Sequence, residues 1–354
     1  MPLTKGDRIK TVFGGGGHVV ILGAGASIAS TLRNPEPNGK QLPSMGNFIN
    51  VVGLTDVVDA LPKKLKADNF EALYSGLHAE NPESDEIHEI ERRVYNYFKD
   101  MTLPENEATI YDYLVLSLRP RDLIATFNWD PFLYQAFNRN SEIADMPYLS
   151  FLHGSVALGY CKEEQRAGPA GWYSKVTRTK FEQTRLLYPV TQKNYTDDDF
   201  ISMEWERVKG WLNSESTKRV TVFGYGAPKS DVEAIKLLNA AWGISDERSM
   251  EQFEIIDVVE EEVGVKRWEN FIHSHHYDYT SNYFGSSLAA VPRRTFESYH
   301  QHNLPITIDE ALSANNPIPP DIKLLEELWD WHRPLIEAEN EWKKQHARDN
   351  PEEI

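Results

Sequence analysis

Short, continuous apolar segments recur along the chain, and longer segments with helical periodicity separate them. Five of the apolar segments are rich in β-branched or aromatic residues: VVIL (19–22), LIATF (123–127), LSFLH (149–153), VTVFG (220–224) and FEIIDVV (253–259). Unbroken apolar runs, as opposed to alternating ones, are typical of strands buried on both faces of a parallel sheet. The pattern therefore predicts an α/β fold with a Rossmann-like, doubly wound and mainly parallel sheet.

The segments between these strands predict helices. Residues 107–118 have helical periodicity and precede the second predicted strand. A further helix is expected over 230–243, because a capping box starts at Ser230 and Gly243 is a suitable end. Residues from about 43 to 104 are acidic and poor in strand signal, so we expect them to form a helical insertion beside the sheet.

The pattern divides the chain into a flexible lead (1–17), a main domain (18–264) and a C-terminal helical extension (265–354), where the alternation of strands and helices stops. The lead lacks the long apolar core of a signal peptide. One face of the last predicted helix carries Leu325, Leu328, Trp329 and His332. This face either docks on the chain's own core or forms an oligomer or partner interface, and Pro334 is expected to kink the helix.

Composition narrows the functional class. The 354 residues are 40% hydrophobic and 26% charged, which is enough for a substantial core. No apolar run approaches the roughly 20 residues that span a bilayer. Cys161 is the single cysteine, so neither an internal disulfide nor a cysteine zinc ribbon can form, and we expect a cytoplasmic protein. With a net charge of −17, no direct binding to nucleic acid is expected.

The first apolar segment runs directly into a glycine turn. This turn contains Gly23, Ala24, Gly25, Ala26 and Ser27. A glycine turn at a helix start allows close backbone approach and exposes N–H groups, both of which favour a pyrophosphate. The third glycine of G-x-G-x-x-G is replaced by Ile28, so the turn alone indicates either a nucleotide site or a tight turn without a ligand.

The next two apolar segments also end in polar residues. Asn128 and Asp130 close the second, where they are either turn formers or ligands for hydroxyl and amide groups. His153 closes the third, and its ordinary pKa would suit proton transfer near neutrality, although a lone histidine at a strand end is more often structural than catalytic. We expect Gly154 to leave room for a substrate. Ligands bind beyond the carboxyl ends of parallel strands, so these residues are expected to meet.

GAGAS, TFNWD and LHG, in that order, resemble the sirtuin family, whose members carry GAG-x-S, TQNID and LHG. LLYPVTQKNY (186–195) and VTVFGYGAPKSD (220–231) are similar to stretches of bacterial sirtuin-like domains. The chain departs from the deacylases in three ways: one cysteine cannot build their four-cysteine zinc module, their SGIPDFR run is absent, and Phe127 replaces the glutamine of TQNID. The pattern looks like the NAD-consuming sirtuin-like effectors of bacterial antiphage defence.

The resemblance implies a role for each matching residue. A bound NAD⁺ would be lined by Gly23, Ala24, Gly25, Ala26, Ser27, Thr126, Gly224 and Tyr225. Asn128 would contact the ribose and help to order the attacking group, and Asp130 would recognise the carboxamide. His153 would be the general base, and Asp257 is a candidate for the adenosine ribose. No metal site is expected, because the histidines of IHSHHYD (272–278) lack a complete ligand set.

The implied activity is hydrolysis of NAD⁺ to ADP-ribose and nicotinamide, with water as acceptor. A protein deacylase or ADP-ribosyltransferase would cleave the same bond with another acceptor, and a sensor or scaffold subunit would bind NAD⁺ or ADP-ribose without cleavage. Because cleavage of so central a cofactor has to be controlled, the resemblance also implies a homo-oligomer, with a second defence protein such as a HerA-type ATPase as a candidate partner.

Overall fold

The computed structural model describes residues 17–190, 193–228, 231–244, 248, 252–273, 277–295 and 317–346. Its main sheet contains six strands: β1 (Gly17–Leu22), β2 (Leu123–Thr126), β3 (Tyr148–Phe151), β7 (Thr217–Phe223), β8 (Gln252–Ile256) and β9 (Tyr277–Thr280). All neighbouring strands of this sheet pair in parallel. The five predicted strands are therefore confirmed, and β1 begins two residues earlier than expected.

The strand order across the main sheet is β3-β2-β1-β7-β8-β9. Counted along the chain within this sheet, this is the 3-2-1-4-5-6 order of the Rossmann fold. In register, Val19 of β1 lies beside Leu123 of β2 on one side and Val220 of β7 on the other. The predicted α/β class with a Rossmann-like parallel sheet is thus confirmed, and the strand order reverses between β1 and β7.

The sixth strand lies beyond residue 264, where we expected the alternation to stop. β9 pairs with β8, with Tyr277 beside Phe253 at one end of the pairing and Thr280 beside Ile256 at the other. It is an edge strand with partly exposed side chains, so its sequence, YDYT, has no continuous apolar run. The expectation that the alternating pattern ends near Val265 is wrong for this reason.

Helices cover both faces of the sheet, and every residue of the central strand β1 is therefore buried. Their bounds are α1 (Ala24–Arg33), α2 (Phe48–Val52), α3 (Thr55–Ala60), α4 (Phe70–Glu80), α5 (Asp85–Lys99), α6 (Ile110–Leu116), α7 (Phe132–Asn140), α8 (Asp199–Asn213), α9 (Val232–Trp242), α10 (Glu261–Trp268), α11 (Ser287–Ala290) and α12 (Leu325–His346). α8 packs on the central strands and on α9, while α6 packs against α1, α7, α11 and α12. No helix in the described parts of the chain is long and apolar enough to cross a bilayer.

The stretch predicted as a helical insertion contains α2 to α5 and a short 3-10 turn at Lys63–Leu65. α5 starts at the cap residue Ser84, whose hydroxyl accepts from the backbone N–H of Ile87. Its apolar face is buried and contains Ile87, Ile90, Val94 and Phe98. Phe98 and Phe48 both pack edge-on against Trp129, so the insertion contacts the segment that follows β2.

A second, antiparallel sheet follows β3. It contains β4 (Leu158–Cys161), β5 (Arg166–Pro169) and β6 (Glu182–Gln183), in the order β5-β4-β6. Cys161 is buried in it. The sequence pattern did not predict these strands, because they are short and include polar residues and glycines.

The C-terminal helix α12 docks on the chain's own core. Leu328 and His332 are fully buried, and Pro334, which was expected to kink the helix, lies within it. Glu339 anchors its second half, because its carboxylate accepts from Arg293 Nε at 2.7 Å and from Arg119 Nε at 3.1 Å. Of the two alternatives for the predicted apolar face, the structure therefore shows docking within the chain.

Candidate functional site

The loops after β1 and β7 touch each other at the point where the strand order reverses. Gly25 N donates to Gly224 O at 2.9 Å, and Gly23 N donates to Phe223 O at 3.0 Å. A Cβ atom at Gly23 would lie 2.5 Å from Tyr225 Cα, and one at Gly25 would lie 2.7 Å from Gly224 Cα. The glycines therefore allow two backbones to meet at the place where open α/β sheets bind ligands.

This contact changes the expected role of the glycine turn. The N–H groups of Gly25 and Ala26 donate to Gly224 O and Gly23 O, so they are occupied within the protein. The expectation of several exposed N–H groups at the start of α1 is wrong for these two residues. Ala24, by contrast, is exposed at the first position of the helix.

A cavity of about 460 Å³ lies at the carboxyl ends of β1, β2, β3 and β7. Eight of the predicted site residues line it: Gly23, Ala24, Ser27, Asn128, Asp130, His153, Gly224 and Tyr225. Four do not line it: Gly25, Ala26, Thr126 and Asp257. The opposite wall includes apolar residues of the insertion and the segment before it, among them Leu42, Pro43, Met45, Phe48 and Phe98.

A buried polar network forms the floor of the cavity. Asn128 Nδ2 donates to Gly23 O at 2.8 Å and approaches Ser27 Oγ at 3.0 Å and the Tyr111 hydroxyl at 3.2 Å. The Ser27 hydroxyl donates to Asp130 Oδ2 at 2.7 Å and lies 2.5 Å from the Tyr111 oxygen. These bonds fix the orientation of the Asn128 amide, and no donor in the described ranges reaches its Oδ1. The remaining acceptor of this side chain is therefore available to a ligand.

Asp130 and Thr126 have supporting positions in this network. Asp130 Oδ1 accepts from Phe132 N at 3.2 Å, and burial raises the pKa of Asp130 to about 6. Thr126 Oγ1 accepts from Asn128 N at 3.0 Å, behind the cavity wall. Thr126 thus holds the backbone of Asn128 and does not face the cavity.

His153 lies between two aromatic rings. Phe127 meets it edge-on at 4.7 Å, and Tyr195 lies nearly parallel at 6.0 Å. Its Nε2 is buried and has no hydrogen-bond partner in the described residues. Burial and the charge of Lys193 lower the pKa of His153 to about 3, so the expectation of an ordinary histidine pKa is wrong. The imidazole is neutral at physiological pH.

A buried ion pair borders the same cavity. Lys193 Nζ contacts Asp231 Oδ1, and the Tyr225 hydroxyl donates to Asp231 Oδ2 at 2.8 Å. The Tyr225 ring stacks on Phe127 at 4.1 Å. Asp231 precedes the first residue of α9, but its carboxylate makes no capping bond to that helix. The predicted cap at Ser230 lies outside the described residues.

Two predicted roles change with the structure. Gly154 has φ +76°, and a Cβ there would lie 2.0 Å from Arg185 O. The absent side chain thus admits a neighbouring backbone, and the expectation that Gly154 leaves room for a substrate is wrong. Asp257 Oδ1 accepts from Val258 N at 2.7 Å in its own turn, and Asp257 does not line the cavity.

The histidines of IHSHHYD give no test of the metal prediction. His275 and His276 lie outside the described residues. His273 Nε2 lies 3.0 Å from the backbone oxygen of Asn270. The expectation of no metal site stays a prediction.

Sequence reasoning missed three residues of the site: Lys193 and Arg267, which line the cavity, and Tyr111, which lies in the buried network. Tyr111 reaches the floor from α6, where an aromatic residue in an apolar helix looks like ordinary core. Lys193 lies in the stretch 186–195, which resembles bacterial sirtuin-like domains, but its contact with Asp231 joins residues 38 positions apart. Arg267 lies on α10 and lines the cavity, and no motif marked it.

Solved structures similar to this chain include a Sir2 homolog in complex with NAD, with 14% sequence identity, a TM-score of 0.34, and coverage of 77% of this chain and 94% of that chain. A mutant Sir2 homologue in complex with ADP-ribose has 12% identity, a TM-score of 0.36, and coverage of 77% and 96%. Another mutant, in complex with 2′-O-acetyl-ADP-ribose, has 12% identity, a TM-score of 0.39, and coverage of 88% and 98%. No protein-family model and no curated protein sequence matches the chain. At these identities and TM-scores, the similarities do not assign a function by themselves.

Proposed function

We propose that the chain cleaves the nicotinamide–ribose bond of NAD⁺ and transfers the ADP-ribosyl group to water. The observation that carries this proposal is the convergence of His153 and Asn128 on one cavity at the strand-order reversal, together with Ser27 and Asp130. Each of the four comes from a sequence motif, and the motifs are up to 126 residues apart along the chain. The resemblance to NAD-consuming sirtuin-like effectors in the same motifs supports the choice of NAD⁺.

The electrostatics of the cavity suit this reaction. The departing nicotinamide nitrogen is positively charged in NAD⁺, so it leaves without an acid, and positive charge then develops on the sugar. A neutral His153 does not oppose that charge, whereas an imidazolium would. Its buried Nε2 is a candidate hydrogen-bond acceptor for a ribose hydroxyl or for water, and full proton transfer to it requires that its low pKa rise when the ligand binds. Asn128 Oδ1 could then hold the hydroxyl or water in position.

Free nicotinamide, followed by chromatography during incubation with NAD⁺, tests the proposal. His153→Ala and Asn128→Ala should each abolish its release, while far-ultraviolet circular dichroism shows an intact fold. His88→Ala is a matched control, because His88 is exposed and does not line the cavity. Release at the wild-type rate by either folded site variant would refute the roles assigned here.

The acceptor is tested in the same incubation. An acetyl-lysine peptide should not be deacetylated, and no ADP-ribose should appear on protein, because water receives the group. Deacetylation of the peptide would instead identify a protein deacylase. Binding of NAD⁺ without any nicotinamide release would identify a sensor or scaffold.

We also propose a role in antiphage defence through NAD⁺ depletion, by a homo-oligomer that has a HerA-type ATPase as its candidate partner. The support is the sequence resemblance in the glycine turn, TFNWD and LHG. Light scattering after size exclusion, combined with nicotinamide release from each fraction, tests this role. Equal activity per chain in the monomer and in any assembly would contradict control by assembly.

A further inference from the structure

Arg267 extends from α10 to the loop that follows β7. Its guanidinium lines the cavity, and its Nη1 would lie 3.4 Å from a Cβ atom built at Gly226. The side chain is 35% exposed, so the charged group lies at the mouth of the cavity and not in its depth. A cation therefore lies beside the loop that follows β7.

The other cation that lines the cavity is engaged. Lys193 forms a buried ion pair with Asp231, with 4% of its side chain exposed. Arg267 forms a looser ion pair, because its Nη1 is 3.9 Å from Asp257 Oδ2, beyond hydrogen-bond distance. No acceptor in the described ranges takes a hydrogen bond from its guanidinium. The donors of Arg267 are thus available to a ligand in the cavity.

A nucleotide in this cavity would need such a donor. Phosphate sites at helix starts rely on free backbone N–H groups, but Gly25 and Ala26 have donated theirs to Gly224 O and Gly23 O. The five N–H donors of a guanidinium form a planar fork that matches phosphate oxygens. Arg267 is placed to supply the charge that the glycine turn does not.

We propose that Arg267 binds a phosphate group of an adenine nucleotide in this cavity. The inference rests on the proposed function only in taking a dinucleotide as the natural ligand. The phosphate could belong to the diphosphate bridge or to a 2′-phosphate on the adenosine ribose, and both have the same oxyanion chemistry. The second case would make the enzyme prefer NADP over NAD.

Equilibrium titration with ADP, 2′-AMP and adenosine tests the inference without any cleavage step. Arg267→Gln should weaken ADP or 2′-AMP binding by about 10- to 100-fold, as expected for loss of a charge-assisted hydrogen bond to phosphate. Adenosine binding should change less than about twofold, and Arg267→Lys should restore part of the affinity because it keeps the charge. Loss for ADP assigns Arg267 to the diphosphate, and loss for 2′-AMP alone assigns it to a 2′-phosphate.

Lys266→Gln is the matched control on the same helix. Lys266 is 75% exposed, pairs with Glu269 and does not line the cavity, so its replacement should leave all three affinities unchanged. Equal affinity of wild type and Arg267→Gln for both phosphate ligands would overturn the inference. An equal loss for adenosine, or no phosphate-ligand binding by the wild type, would also overturn it.

The two proposals fail separately. If wild type releases no nicotinamide but Arg267→Gln loses ADP affinity, only the cleavage proposal is refuted. If nicotinamide is released and the variant binds both phosphate ligands as wild type does, only the role of Arg267 is refuted.

Discussion

Asp130→Asn should stabilise the ligand-free protein at neutral pH. The Asp130 carboxylate is buried with two hydrogen-bond donors but no positive partner among the groups that shift its pKa. Burial raises that pKa from its ordinary value of 3.8 to about 6. Between about pH 4 and pH 6, the folded state therefore keeps a proton that the unfolded state has released. The free energy of unfolding falls as the pH rises through this window.

The magnitude follows from the same shift. Each unit of pKa difference corresponds to 1.36 kcal/mol, so the ionised carboxylate lowers the stability by about 3 kcal/mol above pH 6. An asparagine carries no such charge, and its amide can donate to Ser27 while Ser27 turns toward Tyr111. We expect the variant to gain up to about 3 kcal/mol at pH 7.5 and almost nothing near pH 4.

Urea unfolding at a series of pH values from 4 to 8 measures this difference. The exposed Asp68→Asn serves as the control and should show no pH-dependent gain. A gain for Asp130→Asn that is independent of pH, or a loss at every pH, would refute the reasoning. Nicotinamide release should fall in the same variant if the ionised carboxylate recognises the carboxamide, which would show that the charge is retained for function at a cost in stability.

Three further outcomes are expected. Tyr111→Phe should lower the kcat for nicotinamide release about tenfold with KM nearly unchanged, because it removes one of the contacts that orient Asn128; a change in KM alone would contradict this. Gly224→Ala should lower the melting temperature by several degrees, because φ is +63° there and a Cβ atom would lie 2.4 Å from a backbone nitrogen. The control is Gly210→Ala on the open face of α8, which should raise the stability by about 0.5–1 kcal/mol. Glu339→Gln should destabilise by about 3–5 kcal/mol in urea unfolding, because it removes the carboxylate that pairs with the buried Arg293.

The main sheet was predictable because each of its inner strands contains an unbroken, mainly apolar run. VVIL has no polar position and LIATF has only Thr126, a pattern typical of strands covered on both faces. β9 was not predictable, since an edge strand keeps polar side chains exposed. The small sheet after β3 was missed for a related reason, because β6 contains only Glu182 and Gln183, both exposed.

At the site, the sequence showed which strand ends carry polar side chains, and the Rossmann-like strand order brings those ends together. It did not show what surrounds them. The low pKa of His153 arises from burial and from Lys193, which lies 40 residues away along the chain. Tyr111 enters the Asn128 network through the packing of α6. Such contacts depend on the packing of whole elements, which local patterns do not encode.

The touching glycine loops also limit which side of the cavity can move. Their backbones share a hydrogen bond at Gly25 and leave no space for a Cβ atom, so this side of the cavity cannot open without separating β1 from β7. The facing wall, with Leu42, Pro43 and Phe48, belongs to the helical insertion and the segment before it, which contact the sheet side through aromatic packing on Trp129. We expect any widening of the cavity to arise at this side-chain contact and not at the glycine loops, so that the two sides of the cavity differ in rigidity.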